Sequence, residues 1–223
     1  MDYDKLYEHK ADTYFLHTRN ELLPFIPEGI KTVLDVGCGN GAFGALLKRT
    51  YNCVVWGIEP NKQAAEQAGE QLDKAINGLF SAETAELKGQ KFDAIFFNDV
   101  LEHLPDPEEA LTACQDFLNN DGYIIASIPN IRWYPVVLAL LRYKDFKYEP
   151  AGVMDKTHLR FFTLKSMIRM FENSGYKVVK NAGINKDNDF HYFNILNWLL
   201  FKSQEDMKYP QFVIVAKKAA YAG

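Results

Sequence analysis

A doubly wound α/β domain, a mostly parallel sheet with helices on both faces, is the fold class this sequence predicts. Three observations carry that expectation. The apolar run Thr32 to Val36 ends in glycines at alternate positions, Gly37, Gly39 and Gly41. A helix-like stretch, Ala42 to Arg49, follows at once. A later run, Phe92 to Val100, is nearly continuous in apolar residues, as a strand buried on both faces should be. Strand, glycine turn, helix reads as the first βα unit of such a sheet, with backbone N–H groups opened toward a ligand.

The glycines also contain a dinucleotide-type spacing, Gly39-x-Gly41-x-x-Gly44, which by itself fits an NAD-dependent oxidoreductase. Asp35, two residues before the first glycine, separates the readings. A pyrophosphate cradled by this turn would be repelled by a carboxylate there, whereas a ligand with a positive amino or sulfonium group would not. S-adenosyl-L-methionine has both groups and no phosphate.

Leu34-Asp35-Val36-Gly37-Cys38-Gly39-Asn40-Gly41 resembles the first motif of the class I S-adenosylmethionine-dependent methyltransferases. The resemblance implies a Rossmann-like sheet of seven mostly parallel strands with an antiparallel last strand. It covers most of residues 30–183.

Taken in order, residues 2–23 carry apolar side chains at helical spacings before Pro24 and Pro27 break the pattern. Residues 1–29 then form a helical cap, from which the resemblance brings Tyr14 and Arg19 to the methionine carboxylate. Cys53 to Ile58 is a second strand. Glu59 and Pro60 close it, the acid falling where doubly wound folds place a carboxylate for ribose hydroxyls. Lys62 to Leu72 is a helix and Ala75 to Phe80 a weaker third strand. At the Ser81-Ala82-Glu83 junction the family often carries an aspartate for the adenine amino group. Here Ser81 stands there, leaving Ala82 to supply a backbone contact.

The fourth strand runs into Leu101-Glu102-His103-Leu104-Pro105, which resembles the family's second motif, with Asn98, Val100 and His103 as cofactor liners. Asp106-Pro107-Glu108-Glu109 opens a helix reaching about Leu118: an N-cap acid, a first-turn proline and acids at the positive dipole end. Asn120-Asp121-Gly122 turns into a strand over Tyr123–Ile128. Thr163 to Ser174 reads as a helix with its own cap, Tyr176 to Ala182 as a sixth strand and Tyr209 to Lys217 as the last.

Two stretches exceed the bare fold, 129–162 and 184–206, both rich in aromatic and aliphatic residues. They read as lids over the site, with a dimer contact or a membrane-surface contact as rival readings. Asp155-x-Thr157-His158-Leu159-Arg160-Phe161-Phe162-Thr163, in the first, resembles methyltransferases of sugar modification and polysaccharide biosynthesis that share a ubiquinone-methyltransferase-like core.

The chain has 223 residues, 48% apolar and 24% charged, which suits one soluble domain. A net charge of −4 gives no drive toward nucleic acid, and no basic run with interleaved aromatics is present. Cys38, Cys53 and Cys114 lack any CxxC pairing and read as reduced thiols. With a polar N-terminus and no apolar run long enough to span a bilayer, the expectation is cytoplasmic. No Cys, His and acid cluster has metal-ligand spacing, so no metal is expected.

Methyl transfer is an in-line displacement in which the protein supplies alignment and desolvation. A hydroxyl of a sugar or related metabolite is the expected acceptor, and such a group gains from a general base. His158 is the first candidate, His103 the second, and Asp155 a third that would orient His158. A non-catalytic S-adenosylmethionine-binding scaffold is the remaining alternative.

Overall fold

The structure, a computed structural model, describes residues 19–186, 193–194, 197–198 and 201–219. Tyr14, most of the N-terminal cap and much of the second insertion lie outside them. The chain alternates β1 (Thr32–Val36), α1 (Ala42–Tyr51), β2 (Val54–Glu59), α2 (Lys62–Gln71) and β3 (Lys74–Asn77). It continues through β4 (Phe92–Asn98), α3 (Pro107–Ala113), β5 (Leu118–Pro129), α4 (Tyr134–Tyr143), α5 (Leu164–Asn173), β6 (Tyr176–Ile184) and β7 (Gln211–Lys218).

Seven strands form one sheet in the order β3-β2-β1-β4-β5-β7-β6. β1 to β5 pair in parallel, and β7 runs antiparallel to both β5 and β6. The expected architecture, with its antiparallel last strand, is present. Side chains alternate across each strand, so β1 sends Leu34 and Val36 to one face and Val33 to the other. The first face packs on α3 and α5 through Leu111, Met167, Met170 and Phe171. The second packs on α1 and α2 through Phe43, Leu47, Ala68 and Leu72. Phe92 and Ala94 to Phe97 of β4 are all buried, as its continuous apolar run requires.

Local chemistry sets the helix starts. Asn61 accepts from Ala64 N–H at 2.9 Å to cap α2, and Asp106 accepts from Glu109 N–H at 2.9 Å to cap α3. Thr163 and Ser166 form a reciprocal capping box on α5.

Four boundaries differ most from the sequence expectation. β5 begins at Leu118 rather than Tyr123, so Asn120-Asp121-Gly122, expected as a turn, lies within the strand, where its pairing with β4 shifts register. β3 stops at Asn77, because Phe80 leaves the sheet to pack edge-on against Phe97 and Phe117. β4 stops at Asn98, because Asp99 takes a left-handed conformation (φ 54°) that no strand continues through. The helix expected to reach Leu118 ends at Ala113 and tightens into a 3₁₀ turn over Cys114–Asp116.

The chain runs outward from β1 through β2 to β3, then crosses back to β4 on β1's other side. That reversal opens a crevice at the carboxyl ends of β1 and β4, where such sheets bind ligands.

Candidate active site

A cavity of about 1240 Å³ fills this crevice. Arg19, Asp35, Gly37, Cys38, Gly39, Glu59, Pro60, Ala82, Asn98, Val100, His103, Asp155 and His158 all line it. Every described candidate cofactor or catalytic residue from the sequence therefore lines this one cavity. At this size the cavity exceeds the range usual for a single small ligand, leaving room for a second.

At the end of β1, Asp35 is 2% exposed. Burial, then the neighbouring charge of Glu59, pushes its carboxyl from the ordinary 3.8 up to about 7, with Arg19 pulling the other way. Glu59 is raised as well, by burial, and partly held down by N–H groups of Asn61 and Gly39. Its two oxygens each accept one of these bonds at 2.9 Å, leaving lone pairs for a ligand diol.

The glycine turn departs from the expected open nest. Gly37 and Cys38 N–H both donate to the Ile58 carbonyl (2.8 and 3.1 Å), and Gly39 N–H to Glu59. Gly41 N–H reaches the Cys38 carbonyl and Ala42 N–H the Asn40 amide oxygen. With these donors engaged inside the fold, the turn offers little to a phosphate. Gly37 is required for a different reason: its φ is +71°, and a Cβ there would lie 2.5 Å from Val100 Cγ2. Gly37→Ala is expected to push Val100 into the cavity and weaken S-adenosylhomocysteine binding roughly tenfold or more, measured by calorimetry.

Arg19 pairs with Asp99 and, at 3.5 Å, with Glu21. Asp99 also accepts from Gln211 Nε2 at 2.5 Å. Both Asn98 amide atoms are buried without a hydrogen-bond partner among the described residues, as expected of a group reserved for a ligand. Nine lining side chains are carboxylic acids against one arginine, so the cavity favours a cationic ligand over a phosphorylated one.

The other end of the cavity comes from residues 129–162. The Leu159 and Arg160 N–H groups donate to the Glu102 carbonyl (2.8 and 3.1 Å), and the Arg160 guanidinium donates to the Pro105 carbonyl. These bonds seat His158 against His103, their rings 4.8 Å apart and edge to face. His103 Nδ1 lies 3.1 Å from the Thr157 carbonyl, and His158 Nδ1 lies 3.1 Å from the Val153 carbonyl. A carbonyl only accepts, so each Nδ1 carries the proton and, in the neutral ring, Nε2 holds the lone pair. His158 Nε2 lies 3.9 Å from the Glu102 carboxylate, a residue 1% exposed.

The Val153 carbonyl holds His158 through Nδ1, and Asp155 Oδ1 accepts from Thr157 N–H and Oγ1 (2.9 and 2.8 Å), shaping the loop beside it. Glu102 was missed, because an acid beside a turn reads as solvated and nothing local marks it as buried. Glu102, His103 and His158 each offer a ligand atom within 4.8 Å of the others, a grouping hidden while His158 sat in a distant insertion.

The comparisons with known proteins fit this geometry. A family model described as a methyltransferase domain matches residues 7–181. The chain belongs to this methyltransferase family. It is 28% identical over 196 residues to a ubiquinone biosynthesis O-methyltransferase of Neisseria meningitidis serogroup C, covering 81% of this chain and 80% of that one. A Vibrio atlanticus protein of the same description is 28% identical over 162 residues, 69% of this chain and 66% of that one. An Archaeoglobus fulgidus S-adenosylmethionine-dependent methyltransferase superposes with a TM-score of 0.67 at 19% identity, over 97% of this chain and 98% of that one. A Burkholderia thailandensis 1,6-didemethyltoxoflavin N1-methyltransferase bound to S-adenosylhomocysteine does so at 0.61 and 16%, over 98% of this chain and 86% of that one.

The methyltransferase is thus an S-adenosylmethionine-dependent enzyme, and the residues present suit that cofactor. A buried carboxyl at Asp35 would suit its positive charge, and the remaining lone pairs of Glu59 would suit its ribose diol. The NAD alternative falls with the family match.

Proposed function

We propose that this methyltransferase methylates oxygen on a small, unphosphorylated acceptor, a hydroxyl of a sugar or related metabolite, with His158 as general base. When bound, S-adenosylmethionine supplies an activated methyl group. Asp35, Glu59 and Asn98 would hold that cofactor beside the Gly37–Gly39 turn, with Ala82 on the adenine side of the cavity. Arg19 is the cationic group available to a methionine carboxylate, at the cost of loosening its pair with Asp99.

One observation carries the base assignment: the Val153 carbonyl fixes the Nδ1–H tautomer of His158, which leaves Nε2 basic in a residue lining the cavity. Glu102 beside Nε2 favours the imidazolium that proton removal creates. The loop that carries Val153 and His158 serves as lid, and Trp133 borders the cavity with a flat apolar face suited to stacking on a ring. The relatives described as O-methyltransferases support oxygen as the accepting atom, and the Asp155–Thr163 string supports the polysaccharide-associated branch. The acidic lining argues against nucleotide sugars. A cytoplasmic setting belongs to the same reading, since Cys38, Cys53 and Cys114 are all free and buried.

The test is transfer of isotopic label from the cofactor methyl to a panel of neutral sugars, phenols, nucleotide sugars and amines. Labelled ether products, with nucleotide sugars poor, are expected. Label appearing only on nitrogen would overturn the reading.

A further inference from the structure

We propose that α4 and the loop after it dock on an anionic membrane surface. From Pro135 to Leu141 this helix has no polar side chain, and a helix apolar on all sides belongs in a core. Yet none of its residues is buried. Leu138, Leu140, Leu141 and Tyr143 are exposed, Leu141 by 73%, and Phe146 and Tyr148 continue the surface into the loop. A contiguous apolar surface of this kind marks an interaction site.

Its charges select the occupant. Residues 130–160 hold six arginines and lysines against three acids, one of them the buried Asp155, in a chain whose net charge is −4. Arg142 and Lys144 fall at the helix end beside Tyr143 and Phe146, with Asp145 next to them, while Lys147 pairs with Glu149 and Arg132 with Asp206. Basic heads on apolar stems, mixed with aromatic rings, are the composition of a segment lying in a lipid interface. A twofold contact with a second copy is disfavoured, because it would bring these cations against their own symmetry mates. At ten residues α4 is about 15 Å long, half the roughly 30 Å hydrocarbon thickness, so it lies on a bilayer and does not cross it. No helix among the described residues is long and apolar enough to cross.

The patch adjoins the cavity. Trp133, the residue capping α4, lines it, as do Ala151, Gly152 and Val153 where the loop returns. Docking through α4 therefore turns the cavity's insertion side toward the lipid. An acceptor anchored there would lie within reach; that corollary rests on the methyl-transfer reading, whereas the docking does not.

The experiment is sedimentation of the full chain with vesicles of phosphatidylcholine alone and of phosphatidylcholine mixed with phosphatidylglycerol. Wild type should pellet with the mixed vesicles and be released by salt. Leu141→Asp, and separately the pair Arg142→Glu with Lys144→Glu, should each lower partitioning by roughly tenfold or more. Both variants should keep wild-type S-adenosylhomocysteine affinity by calorimetry, since none of these side chains lines the cavity. Absence of wild-type pelleting on the mixed vesicles would overturn the proposal, as would binding unaffected by either variant. A dimer in sedimentation equilibrium that Leu141→Asp dissolves would overturn it in favour of a second copy.

Discussion

Asp35→Asn is expected to make the unliganded protein more stable and to weaken its binding of S-adenosylhomocysteine by roughly a hundredfold. The two effects share a cause. Asp35 is 2% exposed and faces Glu59, and its carboxyl is pushed up to about 7. Between about pH 4 and pH 7 the folded protein holds a proton there that the unfolded chain has released. The stability of the unliganded protein therefore falls as pH rises through that window and levels off above it. The shift from 3.8 to about 7 sets a ceiling of about 4 kcal/mol for this loss. An amide retains part of the desolvation cost, so Asp35→Asn should recover about 2 kcal/mol at pH 8, roughly 4–8 °C in melting temperature. Thermal melts at pH 5 and pH 8, with and without ligand, check both signs. A cationic ligand repays the buried charge, so wild-type affinity should rise with pH up to about 7 and that rise should vanish in the variant. A variant less stable than wild type at pH 8 would show that Asp35 is ionised and satisfied within the fold alone.

The β1–β2 side of this cavity was legible because its signals are local. Asp35, the three glycines and Glu59 sit at strand ends, and a strand end followed by a glycine turn is defined by a few adjacent residues. What the sequence did not reveal is how the turn uses its donors. Gly37, Cys38 and Gly39 look like an anion nest in one dimension. In three dimensions β2 lies alongside, and the Ile58 carbonyl and Glu59 carboxylate take those donors. An ionised Asp35 and the satisfied backbone would each disfavour a pyrophosphate at this turn.

The acceptor half was only partly legible, because its geometry comes from contacts across about fifty-five residues of chain. His103 and His158 were each visible as candidates, but their edge-to-face pairing and the shared Glu102 depend on the insertion folding back onto the Glu102 carbonyl. Strand ends misread for related reasons. Phe80 carries the apolar character of a strand residue but spends it on Phe97 and Phe117, and Asp99 leaves the extended region to meet Arg19 and Gln211.

His158→Ala and His158→Gln should each lower kcat by roughly 10²- to 10⁴-fold at saturating cofactor, the range usual for loss of a general base. The alanine variant also removes the bond from Nδ1 to the Val153 carbonyl, so a loss seen only there could reflect a displaced loop. Glutamine can keep a donor toward that carbonyl while lacking a basic nitrogen, so equal losses in both variants isolate the proton transfer. The split between KM and kcat separates this group from Asp35. Asp35 acts on cofactor affinity, so its titration belongs in KM for S-adenosylmethionine and disappears at saturation. His158 acts on the chemical step, so its loss belongs in kcat in both variants, at every cofactor concentration. Cofactor affinity should stay near wild type, because the Asp35 and Glu59 end of the cavity is built from β1 and β2 rather than from the His158 loop. Retained turnover in both variants would remove His158 as base and leave alignment and desolvation as the enzyme's whole contribution on the acceptor side.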